Sequence, residues 1–129
     1  MLERKLVVDE SAGGAYCPVR ATLALIGQKW VPHIFHELSK GKRRFNELAQ
    51  AVGGVNPRTL KARLTALEKA GVVRRRVVET MPPWVEYELT PAGQELAQVL
   101  AALGAWGMKH LTPEVLSTLV RTASPPTSC

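Results

Sequence analysis

Nowhere in the chain do about 18 apolar residues run together, which excludes a membrane-spanning helix. The first ten residues carry Glu3, Arg4, Lys5, Asp9 and Glu10 and lack the apolar stretch of a secretory signal peptide, so the expected location is cytoplasmic. Cysteine is nearly absent. Cys17 and Cys129 stand at opposite ends of 129 residues and form no disulfide framework, and both are expected as free thiols in a reducing compartment. Catalytic parts are missing too. There is no Gly-rich phosphate loop, no G-x-S-x-G elbow and no carboxylate pair on an element that would form a cleft. The chain is therefore not expected to be an enzyme, and no catalytic residue or cofactor is assigned. His33 and His36 have an i, i+3 spacing that suits a metal, but no third ligand joins them at metal-ligand spacing. They are expected as surface or half-buried histidines, and no metal site is assigned.

Acidic residues are scarce in one place above all. From Lys40 to Arg76 eleven basic side chains face only Glu47 and Glu68, a local charge of +9 in a chain whose net charge is +6. The rest of the chain is therefore −3. A length of 129 residues at 46% hydrophobic content suits one compact domain whose core needs neither disulfides nor metals. One strongly positive segment on such a domain points to a polyanion, because neutralising phosphates releases condensed counterions. A solvated basic face would explain the charge alone equally well.

The order of elements narrows the choice. Cys17-Pro18 opens a short amphipathic helix with Val19, Leu23 and Ile26 on one side, ended by Gly27. A second helix starts at Pro32 with Ile34, Phe35 and Leu38 as its stripe and closes at Lys40-Gly41-Lys42. A third runs from about Arg44 to Val52. Gly53-Gly54-Val55-Asn56 then forms a tight turn, and Asn56-Pro57 caps and starts a fourth helix that buries Leu60, Leu64 and Leu67 before Gly71 ends it. After Gly71 the period changes to two: Val72–Glu79 and Val85–Leu89 predict a β-hairpin with a Pro-rich tip at residues 80–84. Thr90-Pro91 caps a long helix through Leu96, Val99, Leu100, Leu103 and Trp106, and Thr112-Pro113 caps a last short one bearing Leu116 and Leu119. The fold class is thus mainly α with a small β-hairpin.

Two short helices joined by a Gly-containing turn and followed by a hairpin are the parts of a winged helix-turn-helix. With its leucines inward, the fourth helix turns Arg58, Thr59, Lys61, Ala62 and Thr65 outward, with Asn56 and Arg63 beside them. Small, polar and basic side chains on a helix suit the major groove, where Arg or Lys reaches guanine and Thr meets a thymine methyl. Of Arg74, Arg75 and Arg76 on the hairpin, one or two are expected to alternate outward against the phosphate backbone, and Lys42, Arg43 and Arg44 are placed for backbone contacts. An ordinary amphipathic surface helix is the competing reading. The terminal helices carry Leu96, Val99, Leu100, Leu103, Trp106, Leu116 and Leu119, more apolar surface than so small a domain covers alone, and these are the candidate dimer interface. Cys17 precedes a helix N-terminus whose partial positive charge suits a thiolate, making it a candidate redox or electrophile sensor. A small buried packing residue is the other reading of it.

Several runs carry a resemblance: Cys17-Pro18-Val19, Ile26-Gly27-Gln28-Lys29-Trp30, Arg44-Phe45-Asn46-Glu47-Leu48, residues 60–68, Gly71-Val72-Val73 and residues 83–93. In these the chain resembles the HxlR-type transcriptional regulators, a branch of the MarR-like winged helices, over about Cys17 to Gly107. The resemblance implies a homodimer built through terminal helices that binds pseudo-palindromic operators in double-stranded DNA. In some members a cysteine matching Cys17 senses electrophiles or oxidants. One position departs, since Trp84 stands where the wing tip is often basic. The expected organisation is an N-terminal extension at 1–16, the winged helix-turn-helix at 17–107, a C-terminal dimerisation helix at 108–123 and a disordered tail at 124–129. A small-molecule effector is left unidentified. A winged helix used only for protein contact, without specific DNA binding, is the alternative function.

Overall fold

Each proline that follows a capping residue starts a helix. In the computed structural model, which describes residues 17–119, the side chains of Cys17, Asn56, Thr90 and Thr112 accept backbone N–H bonds at 3.4, 2.7, 3.1 and 3.3 Å and precede Pro18, Pro57, Pro91 and Pro113. Proline at the first helical position costs no hydrogen bond, and the cap satisfies one of the orphan donors. The helices so begun are α1 (Pro18–Ile26), α4 (Pro57–Lys69), α5 (Pro91–His110) and α6 (Pro113–Leu119). Between α1 and α4 lie α2 (Val31–Ser39), the two-residue strand β1 (Arg43–Arg44) and α3 (Phe45–Val52). The wing is β2 (Val73–Val78) and β3 (Trp84–Leu89). Helix α2 starts one residue before the expected Pro32, and α3 starts after Arg44, whose N–H is taken by the Glu47 carboxylate at 2.8 Å.

The core gathers one face of each central element. Val31, Ile34, Phe35 and Leu38 of α2, Leu48 of α3, Leu60, Leu64 and Leu67 of α4, and Val72, Val73, Tyr87 and Leu89 around the wing root form one buried cluster. A Schellman motif ends α4. Gly71, at φ 81°, donates to the Glu68 carbonyl at 3.0 Å and Val72 to the Leu67 carbonyl at 3.1 Å, which turns the chain directly into β2. The start of α5 is locked to the same corner: Thr90 Oγ1 donates to the Gly71 carbonyl at 2.6 Å and the Thr90 N–H to the Val72 carbonyl at 3.1 Å. Gly93 is required there, because a Cβ would fall 2.0 Å from the Val72 carbonyl oxygen.

The sheet has three strands in the order β1-β3-β2, all antiparallel. A hairpin alone was expected. Strand β1 pairs Arg43 with Tyr87 and Arg44 with Glu86, and two residues are too few to show an alternation. In the hairpin Arg74 lies opposite Glu88 and Arg76 opposite Glu86.

The apolar stripe of α5 is divided. Leu96 and Leu100 pack on the core of their own chain, whereas Val99, Leu103 and Trp106 are 48%, 49% and 58% exposed. On α1 the expected face is divided likewise: Ile26 is buried, while Val19 and Leu23 stand 68% and 55% exposed. Between these two helices lies an apolar groove of about 550 Å³, walled by Val19, Leu23, Leu96, Val99 and Leu103. On α6, Leu119 is exposed and Leu116 half-buried. Helix α5 runs on through the expected 107/108 limit to His110. The segments 1–16 and 124–129, residues 120–123 of the expected last helix, and Cys129 lie outside the described residues.

Candidate nucleic-acid interface

Helices α3 and α4 are joined by a turn in which Gly53 and Gly54 both have positive φ, 71° and 75°, a region that favours glycine. The turn delivers α4 with its leucines wholly buried and its other face open. Asn56, Arg58, Lys61 and Ala62 are exposed, and Thr59, Arg63 and Thr65 are half-buried. The side chains of Arg58 and Lys61 have no hydrogen bond or ion pair among the described residues. Two uncommitted cations thus stand in the first two turns of a helix whose N-terminus carries its own partial positive charge.

The wing is organised differently. Arg74, Arg75 and Arg76 are all exposed, not one or two of them. Cross-strand pairing places Glu88 and Glu86 beside two of them: Arg74 Nε lies 2.9 Å from Glu88 Oε2, and Arg76 lies 3.7 Å from Glu86 Oε1. Lys42 reaches the same Glu86 oxygen at 3.8 Å. Trp84 donates its indole N–H to the other Glu86 oxygen at 3.1 Å, and the Arg44 guanidinium stacks on the Trp84 ring at 4.6 Å. Arg43 donates to the Lys42 carbonyl at 3.0 Å. Only Arg75 of the three wing arginines has no side-chain partner among the described residues. At the tip, Met81 is 95% exposed and is followed by Pro82 and Pro83. Trp84, which departs from the basic residue expected at the wing tip, thus carries the Arg44 guanidinium on its face.

Arg63 is engaged elsewhere. Its Nε donates to the Lys29 carbonyl at 2.9 Å, tying α4 to the loop between α1 and α2. The neighbouring Trp30 adopts φ 80°, a left-handed conformation that costs a non-glycine residue about 1–3 kcal/mol and persists only where the surroundings hold it. Its ring lies against Gly54, where an added Cβ would sit 3.8 Å from Cη2. It also meets His33 edge-on at 5.9 Å and lies under the Lys29 ammonium at 5.1 Å. No local pattern announces a bond across 34 residues.

Cys17 is the capping residue of α1 itself, half-buried, with Sγ accepting the Arg20 N–H at 3.4 Å. Among the described residues no three His, Cys, Asp or Glu side chains gather as a metal site, and no helix is long and apolar enough to cross a membrane.

The family model described as HxlR-like helix-turn-helix matches residues 25–115. The HTH-type transcriptional regulator YdeP of Bacillus subtilis is 40% identical over 111 residues, covering 85% of this chain and 87% of the relative. Among solved structures, the redox regulator HypR in its reduced form superposes with a TM-score of 0.71 at 36% identity, over 79% of this chain and 99% of that one. The diamide-treated YodB of B. subtilis does so with a TM-score of 0.66 at 32% identity, over 75% and 97%.

Proposed function

Because the chain belongs to the HxlR-like helix-turn-helix family and is a transcriptional regulator of the MarR-like winged type, we propose that it works as a homodimer reading pseudo-palindromic double-stranded DNA. The observation that carries this reading is α4. Three leucines pin one face in the core while Arg58 and Lys61 stand on the other with no carboxylate to neutralise them. In the major groove these side chains read base edges, with Thr59, Ala62 and Thr65 as the small neighbours that allow close approach. Arg75 and the exposed wing tip follow the backbone alongside.

The groove between α1 and α5 receives a second copy of the chain. Val19, Leu23, Val99, Leu103 and Trp106 leave an apolar surface that a two-fold partner would cover, and a symmetric partner sets two α4 helices about 34–36 Å apart, one duplex turn. The unit 17–107 then carries both the DNA-reading helix and this apolar face, and α6 adds to the dimer beyond it. Thiol modification at Cys17 tunes this assembly, supported by the sulfur's place at the α1 cap and by the likeness to a regulator described as a redox regulator and to one solved after diamide treatment.

The test is selection of genomic fragments by the purified protein. Retained fragments should share an inverted repeat with half-sites one turn apart, and binding should weaken steeply with salt. Retention of no fragment above random duplex, or a monomer at micromolar concentration by sedimentation, overturns the reading.

A further inference from the structure

We propose that the α1–α2 loop is a joint that sets the angle of α4, and that Arg63 is a positioning residue in it and not a DNA contact. The inference rests on α4 being the DNA-reading helix and adds how that helix is held. The loop contacts both the turn and the second helix of the helix-turn-helix. The Lys29 carbonyl takes the Arg63 Nε–H from the middle of α4, and the next residue, Trp30, lays its ring on Gly54 in the turn before α4. Trp30 does so from a left-handed conformation, as cap of α2, so the loop backbone is held in an uncommon geometry at the point where the ring meets the turn. Loop and α4 therefore move together. The other end of the loop is Gly27, whose N–H closes α1 on the Leu23 carbonyl at 2.8 Å, and Leu23 lines the apolar groove. Whatever seats in that groove or shifts α1 acts on α4 through the Lys29–Arg63 bond.

The chemistry of arginine allows a clean separation of the two roles. Glutamine carries an N–H donor at the same number of bonds from Cα as arginine Nε, without the charge. Methionine has similar length with neither, and lysine keeps the charge but places its donor nitrogen one bond beyond the position of arginine Nε. In the joint, Arg63→Gln should bind selected genomic fragments like wild type. Arg63→Met and Arg63→Lys should lose about five- to tenfold, the worth of one hydrogen bond, with affinity for random duplex and its salt dependence unchanged. Amide exchange across residues 61–67, measured without DNA, should quicken in Arg63→Met and not in Arg63→Gln. Trp30→Phe, which shortens the ring against Gly54, should quicken the same amides and serves if Arg63→Met does not fold. The reverse order would make Arg63 a phosphate contact and overturn the proposal: Arg63→Lys like wild type, with Gln and Met equally weakened on both DNAs and a shallower salt slope. Wild-type behaviour of all the variants also overturns it. Should wild type bind no duplex at all, DNA reading fails while the exchange data still decide the joint.

Discussion

Helix α4 and the wing both carry cations, but they commit them differently: among the described residues α4 leaves Arg58 and Lys61 free, whereas of the three wing arginines only Arg75 is. On α4, Arg58 and Lys61 face solvent unpaired. In and beside the wing, Arg74, Arg76 and Lys42 each face a carboxylate, and Arg44 rests on an indole. Exposed pairs of this kind add only about 0–1 kcal/mol each to stability. Their larger consequence is on availability: Glu86 and Glu88 engage Arg74, Arg76 and Lys42, so of the wing arginines only Arg75 stays uncommitted among the described residues. Formal charge along the chain is a poor measure of charge available to DNA.

The contrast in stability is the easiest to break. Leu64 is wholly buried under α4, whereas Val77 of the wing is 48% exposed. Leu64→Ala should destabilise the fold by about 2–5 kcal/mol, from lost burial plus a cavity. Val77→Ala should stay within about 0.5 kcal/mol, as surface changes do. Denaturant midpoints for the two variants check this, and similar losses would mean that the wing is as much a part of the core as the helix.

On DNA the next largest difference should appear between Arg58→Ala and Arg76→Ala. Removing a base-reading arginine costs about 1–3 kcal/mol on a selected fragment and less on random duplex. Arg76 is already partnered, so its removal should cost little on either. Equal losses for the two variants would dissolve the distinction, and equal loss on both DNAs for Arg58→Ala would make it a phosphate contact.

Glu86 offers a smaller and sharper test. It holds Lys42, Arg76 and the Trp84 indole at once, with one oxygen buried and without a hydrogen bond. Glu86→Gln keeps the shape and releases two cations. Affinity for random duplex should rise, with the slope of log affinity against log salt steepening by about 0.9 for each phosphate gained. Stability should fall by no more than about 1 kcal/mol. An unchanged slope would show that the wing cations do not approach phosphate even when freed.

Much of the helix side of this contrast can be read from residues close together in sequence. Asn56-Pro57, the leucines at 60, 64 and 67, and Gly71 set the start, inner face and end of α4 by local rules of capping and period. The pairing of the wing cations cannot be read that way. A positive stretch bounded at Arg76 leaves out Glu86 and Glu88, which come later in sequence and meet the arginines only through the hairpin register. Strand β1 and the Arg63–Lys29 bond are non-local in the same sense. The division of the α5 stripe has another cause: leucines at 96 and 100 and apolar residues at 99, 103 and 106 look alike in a helical period, and only packing says which face is left over.

The smallest expected effect belongs to Cys17, far along the chain from both α4 and the wing. Its sulfur is half-buried and accepts one backbone N–H at 3.4 Å, so an added group has solvent to turn into and only a weak cap bond is lost. Alkylation or mild oxidation should therefore weaken binding to a selected fragment by only about two- to fourfold, under about 1 kcal/mol. The loss should fall on α4 and not on the wing. Helix α1 leads through Gly27 and Lys29 to Arg63, whereas the wing cations are held by Glu86 and Glu88 on their own sheet. Random-duplex affinity, which reports total charge, should stay constant while selected-fragment affinity drops. Cys17→Ser keeps an N-cap acceptor, since serine is a good capping residue, and should bind like wild type yet ignore the reagent. Cys129→Ser is the matching control and should respond as wild type does. If Cys17→Ser loses affinity on treatment as wild type does, the thiol is a cap and nothing more. If random duplex weakens equally, the modification acts on charge or folding and not through the position of α4.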